Sequence, residues 1–137
     1  MASILVIEDQ AEARKPLVKL LKMEGYDVTG VASALEALAC ARRQRPDLVL
    51  LDVMIPQLDG LTFLMLFRED RNFREVPVVL LTGVSDEHTL QRARELGVKD
   101  YLLKAQYTPE YLLGVIQRNV APSTMDTTTT TPASPTT

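Results

Sequence analysis

The sequence predicts a doubly wound α/β domain built on a five-stranded parallel sheet. Two observations carry that prediction. Short apolar runs alternate five times with longer segments of helical periodicity, and such alternation with short connections and right-handed crossovers leaves a parallel sheet with helices on both faces. The middle run, Leu48 to Leu51, is also apolar at every position, as a strand covered on both sides requires.

The elements follow in order. Ile4 to Ile7 is the first strand and stops at Glu8-Asp9. The next helix carries Leu17, Leu20, Leu21 and Met23 on its inner stripe and ends at Gly25. Pro16 removes a backbone hydrogen bond, so the regular helix is expected to start only near Ala13. Tyr26 to Val31 is a shorter, mixed strand that suits an edge. Ser33 caps a helix from Ala34 to about Gln44, with Glu36 completing a capping box.

Asp47 to Leu51 is the third strand, and it ends in the carboxylate Asp52 before Pro56 and Gly60 turn the chain. Leu61 to Arg68 is helical, and Asp70 to Glu75 reads as a polar connection. Val76 to Leu81 forms the fourth strand, ending in Thr82-Gly83. Asp86 caps a helix that runs to Leu96 and closes at Gly97. Val98 to Leu103 is the fifth strand, ending in Lys104. Thr108 caps the last helix, which has Pro109 in its first turn and runs to about Val120. Residues 1–121 thus form one domain. Residues 122–137 are rich in threonine, serine and proline, and are expected to be a disordered tail or a truncated linker.

Composition excludes several classes. A chain of 137 residues with 46 % apolar residues can bury a core without staples. A net charge of −3 gives no reason for direct nucleic-acid binding. The single cysteine, Cys40, excludes an internal disulfide and reads as a packed thiol. No apolar run reaches membrane-spanning length and no signal-peptide core is evident, so a cytoplasmic location is expected. His88, the only histidine, and the basic cluster Arg42, Arg43 and Arg45 read as solvated surface.

The strand ends carry the chemistry. Glu8 and Asp9, Asp52, Thr82 and Lys104 each follow an apolar run, and C-terminal strand ends in open α/β sheets lie side by side where ligands bind. Two unit charges 4 Å apart repel by about 4 kcal/mol at an effective dielectric near 20. Three clustered carboxylates therefore need compensation. One lysine supplies part of it, and an all-oxygen site with room for waters favours Mg²⁺ over zinc for the rest. A carboxylate, a hard cation, a hydroxyl and a lysine suit phosphoryl transfer, with Asp52 as nucleophile, Lys104 neutralising charge and Thr82 hydrogen-bonding an oxygen.

These residues resemble the receiver domain of two-component response regulators. The resemblance covers Ser3 to about Val120. It rests on Glu8-Asp9, the Asp52-Val-Met-Ile-Pro56 and Asp59-Gly60 turn, Thr82-Gly83, and the segment from Gly97 through Asp100 and Tyr101 to Lys104. It implies a CheY-like, flavodoxin-like fold with strand order 2-1-3-4-5 and five flanking helices. It further implies phosphorylation of Asp52 by a sensor histidine kinase or a histidine phosphotransfer protein. Mg²⁺ would be held by Asp9, Asp52 and the backbone carbonyl of Met54, with Glu8 acting mainly through water. Thr82 and Tyr101 would be the switch pair, passing a change of state to an output partner or an output domain.

Three departures from the family pattern carry expectations of their own. Ala105 stands where the family has proline after the lysine, and a cis bond before a non-proline residue costs about 2.5–4 kcal/mol, so a trans loop is expected. Lys99 and Gly114 replace the acid and the arginine of the branch that pairs to bind DNA, which removes those charge pairs. Met54 and Val84 are both apolar beside the site and are expected to prolong the phosphorylated state. Two rival readings are weaker. A haloacid-dehalogenase-type phosphatase wants a second aspartate where Met54 stands, and a degenerate, partner-binding receiver would not need Asp9, Asp52, Thr82 and Lys104 together.

Overall fold

The computed structural model describes residues 2–52, 60–83, 87–104 and 106–120. In it the five apolar runs become strands β1 (Ser3–Ile7), β2 (Asp27–Val31), β3 (Leu48–Asp52), β4 (Val78–Thr82) and β5 (Asp100–Leu103). The intervening segments form helices α1 (Ala11–Met23), α2 (Ala34–Arg43), α3 (Gly60–Glu69), α4 (Glu87–Glu95) and α5 (Pro109–Val120). The strands make one sheet in the order β2-β1-β3-β4-β5, parallel throughout. The predicted order and fold class are what is found.

Alternation along each strand splits the core into two layers. Leu5, Ile7, Val49, Leu51, Val78 and Leu80 face α2, α3 and α4, where Phe63, Leu64 and Phe67 fill the layer. Ile4, Val6, Leu48, Leu50, Val79, Leu81 and Leu102 face α1 and α5, against Leu17, Leu21, Leu112 and Ile116. Every residue of β3 is buried, which is why its sequence lacks the polar alternation of a half-exposed strand.

The stop and start signals act as their chemistry dictates. Gly25 and Gly97 take φ values of +96° and +90°. Each closes a Schellman motif: the amide of Tyr26 donates to Leu21 and that of Val98 to Ala93. Val98 is thereby consumed by the end of α4, so β5 begins at Asp100 and not at Val98. Ser33 Oγ accepts from the Glu36 amide at 3.2 Å, while Glu36 Oε1 accepts from the Ala32 amide at 3.0 Å. The capping box therefore closes one residue upstream of the cap. Thr108 Oγ1 accepts from the Tyr111 amide at 3.1 Å and starts α5.

Several local expectations are corrected. α1 begins at Ala11, ahead of Ala13, although Pro16 lies inside it. Glu12 and Pro16 are both exposed, so water can satisfy the carbonyl that the proline leaves without a donor. Met23 is 73 % exposed and not on the inner stripe; it lies two residues beyond Leu21, about 200° round the helix. The connection after α3 is not wholly polar. It holds a short 3₁₀ turn, Arg71–Phe73, whose Phe73 ring stacks on Phe67 with centroids 4.6 Å apart. β2 starts at Asp27, β3 at Leu48, and β4 at Val78 and not Val76, although Pro77 already accepts a hydrogen bond from the Val49 amide. Cys40 is half-buried against the core, with Sγ 3.3 Å from an Arg43 nitrogen. His88, Arg42, Arg43 and Arg45 are exposed, as expected. The Asp86 cap and the segment 122–137 lie outside the described residues.

Candidate functional site

Strand register assembles the site. Ile7 pairs with Leu51, so Glu8 and Asp52 leave neighbouring strands at the same level. Asp52 pairs with Leu81 and Thr82 with Leu103, so each strand further along the sheet reaches one residue higher. Parity then sorts the side chains. Glu8, Asp52 and Lys104 continue the face that carries Val6, Leu50 and Leu102, the α1/α5 face. Thr82 continues the opposite face, after Leu80. A backbone hydrogen bond from the Lys104 amide to the Thr82 carbonyl, 2.8 Å, holds the ends of β4 and β5 together.

On the shared face the acids meet. Carboxylate oxygens of Glu8, Asp9 and Asp52 lie within 4.8 Å of one another. Glu8 and Asp52 are buried and Asp9 is partly exposed. Lys104 Nζ bridges two of them, 2.8 Å from Glu8 Oε1 and 3.0 Å from Asp52 Oδ2. Glu8 thus contacts the lysine directly. Burial pushes the Glu8 carboxyl above the ordinary range, and the Lys104 contact offsets this only in part. Burial would lower the Lys104 ammonium, but its hydrogen bonds to Glu8 and Asp52 prevail and raise it. Three carboxylates against one ammonium leave the cluster negative. Its all-oxygen donor set, with one partly exposed member, has the chemistry that a hard divalent cation takes up with several waters retained.

Tyr101 is not part of this cluster. It pairs with Leu80 on the α4 face and is 41 % exposed. Beside it, Leu80, Leu90, Ala93, Arg94 and Val98 line a cleft of about 210 Å³ between α4 and β5. Thr82, buried at 3 % exposure, shares that face. Met54, Val84 and Ala105 lie outside the described residues, so the carbonyl ligand, the apolar overhang and the Lys104-Ala105 loop have no structural account here.

Known proteins place this geometry. The profile of the response regulator receiver domain matches residues 4–117. The chain belongs to that family. It is therefore a receiver domain of two-component signalling, a signalling module and not a conventional metabolic enzyme. The receiver is 40 % identical over 109 residues to the probable transcriptional regulator ycf27 of Porphyridium aerugineum, spanning 80 % of this chain and 44 % of that protein. It is 30 % identical over 110 residues to the polar-differentiation response regulator DivK of Brucella ovis, covering 80 % of this chain and 89 % of DivK. The receiver domain of the sensor histidine kinase PA1611 from Pseudomonas aeruginosa, with a magnesium ion coordinated in its active-site cleft, superposes with a TM-score of 0.80. The two are 31 % identical, covering 88 % of this chain and 98 % of that one. Among the described residues no helix is long and apolar enough to cross a membrane.

Two functional-looking arginines escaped the sequence reading. Arg14 donates to the backbone carbonyls of Glu8, at 2.7 Å, and Asp9, at 3.4 Å. Arg68 donates to the carbonyls of Leu96, Phe73, Arg74 and Val76 at 2.7 to 3.2 Å. Neither has a sequence signal beyond its charge, because a side chain that binds main-chain carbonyls needs no complementary residue type.

Proposed function

We propose that Asp52 is the phosphoacceptor of this receiver, taking a phosphoryl group from a phosphohistidine on a sensor histidine kinase or a histidine phosphotransfer protein. One observation carries the reading. Glu8, Asp9 and Asp52 converge within 4.8 Å at the C-terminal rim of the sheet, and Lys104 is already in contact with Asp52.

An Asp52 carboxylate oxygen forms the bond to phosphorus as the phosphorus–nitrogen bond to the donor imidazole breaks, and the imidazole leaves with that electron pair. Asp9 and Asp52, with the Met54 carbonyl and with Glu8 acting at longer range, would hold Mg²⁺. When bound, the ion supplies positive charge against the oxygens of the transferring group. Lys104 keeps its ammonium beside Asp52 and follows the charge from carboxylate to phosphoryl oxygen. Thr82 approaches from the other face to hydrogen-bond a phosphoryl oxygen. Its displacement frees space for Tyr101, now outward beside the α4/β5 cleft, to move inward and change the surface read by an output partner or output domain. The two apolar neighbours Met54 and Val84 limit attack by water, and the protein acts in the cytoplasm.

The test is incubation with acetyl phosphate and Mg²⁺, followed by intact mass. The expected result is a gain of one phosphoryl group that disappears with EDTA and in Asp52→Asn. Equal uptake by Asp52→Asn would refute the assignment, and no uptake by the wild type would refute the reading as a whole.

A further inference from the structure

We infer that Arg14 is a positioning residue for the acid pair, seated by Gly30 of the edge strand, so that β2 sets the geometry of the site from outside it. The inference rests on the phosphoacceptor reading above.

The loop that carries Glu8 and Asp9 is tied down on three sides. The Glu8 amide donates to the Val31 carbonyl at 3.1 Å, which extends the β1–β2 pairing past the end of β1. The Gln10 amide donates to Glu8 Oε2 at 3.2 Å and turns that carboxylate. The third tie is Arg14, whose Nη1 binds the carbonyls of Glu8 and Asp9. With the carbonyls on either side of the Asp9 Cα drawn toward one guanidinium nitrogen, rotation about the φ and ψ of Asp9 is restricted, and with it the direction in which its side chain leaves the backbone.

Arg14 is itself held in place. Its stem lies across β2 at Gly30, where a Cβ would stand 3.3 Å from both Arg14 Cγ and Cδ and 2.8 Å from Val18 Cγ2. The second contact is closer than real Cβ atoms come, and Val18 is β-branched with few rotamers to escape into. Val18 thus makes glycine a steric requirement here, and the arginine's stem is crowded beside it; the φ of Gly30 is unremarkable. A side chain at position 30 pushes on the stem, and the guanidinium at its far end moves off the two carbonyls.

Charge and positioning predict opposite signs, which makes the inference testable. A guanidinium bound to the main chain of the acid pair repels an incoming dication, so if charge alone mattered, removing it would tighten Mg²⁺ binding. If Arg14 aims the ligands, removing it weakens binding despite the lost repulsion. Loss of groups that orient metal ligands typically costs 10–100-fold in affinity.

The experiment is calorimetric titration of the full chain with MgCl₂, for wild type, Arg14→Ala, Arg14→Lys, Gly30→Ala and Gly30→Val. Arg14→Ala is expected to weaken Mg²⁺ by roughly tenfold. Arg14→Lys, with a single donor head, should recover part of the loss. Gly30→Val keeps every charge and should weaken Mg²⁺ in the same direction; Gly30→Ala gives a milder version if the valine variant does not fold. In the metal-free protein the carbonyl ¹³C resonances of Glu8 and Asp9 should shift upfield in Arg14→Ala and in the Gly30 variants. Unchanged or tighter Mg²⁺ binding in Arg14→Ala, or unmoved carbonyl resonances, overturns the inference while the phosphoacceptor reading stands. A wild type that binds no Mg²⁺ overturns both, and is distinguished by that control alone.

Discussion

Replacing the proposed nucleophile should stabilise the metal-free protein. At 4.8 Å and an effective dielectric near 20, each carboxylate pair repels by about 3.5 kcal/mol, and Asp52 faces two such neighbours. Since 4.8 Å is the outer limit of the cluster, these are lower bounds at that dielectric. The contact with Lys104 at 3.0 Å returns about 5.5 kcal/mol on the same scale. Set against the Lys104 contact, the repulsion is the larger by about 1–2 kcal/mol. Lys104 is 34 % exposed and Asp9 is partly exposed, so solvent screens terms of both signs. Burial of the Asp52 charge adds a cost that the amide avoids. Asp52→Asn is therefore expected to gain about 1–2 kcal/mol in EDTA, a rise in Tm of about 3–8 °C for a domain of this size. Thermal and urea denaturation measure it directly. Added Mg²⁺ should close the gap, because the ion binds the native wild type more tightly than the variant. A variant less stable than wild type in EDTA would show that the cluster is not under net repulsion, and the case for a cation there would fail with it.

Three further outcomes are expected. Arg68→Met should cost about 2–4 kcal/mol in urea denaturation, since it strips a shared donor from four carbonyls joining α3, the 3₁₀ turn and the end of α4; Arg68→Lys should not rescue it, as an ammonium cannot reproduce the fork. Arg118 holds the Asp100 carboxyl below the usual range through a 2.7 Å hydrogen bond, with Asn119 assisting against the opposing effect of burial. The folded-state value is depressed, so the stability it contributes is present above the unfolded aspartate pKa near 3.9 and lost as pH falls through the folded value. Asp100→Asn should accordingly be less stable at neutral pH, and its deficit should shrink as acidification carries the pH down through the depressed folded-state value. Ser33→Ala should cost about 1 kcal/mol by removing the cap of α2, read from the urea midpoint at constant m.

Much of the fold was legible because its signals are local. The unbroken runs of β3 and β4 predict buried parallel strands, the glycines that end α1 and α4 sit where left-handed backbone is needed, and both hydroxyl caps at Ser33 and Thr108 are in use. Glu8, Asp9, Asp52 and Lys104 could be grouped from sequence because parallel strands bring their C-terminal ends to one rim. Less legible were contacts between side chain and main chain. Phe73 plugs the core from a segment whose neighbours are all polar, and Met23 points outward from an otherwise regular stripe.

By itself the sequence determined the alternation of elements, the sheet order through its resemblance to receivers, and the residue types gathered at the rim. These follow from periodicities and stop signals, which the chain carries in every short window. Only the tertiary structure decided that Lys104 bridges Glu8 and Asp52, while Thr82 and Tyr101 take the other face. It alone showed that Arg14, lying over Gly30, holds the acid loop. Such facts depend on register and on which side of a strand a residue faces, quantities set when separate segments pack together.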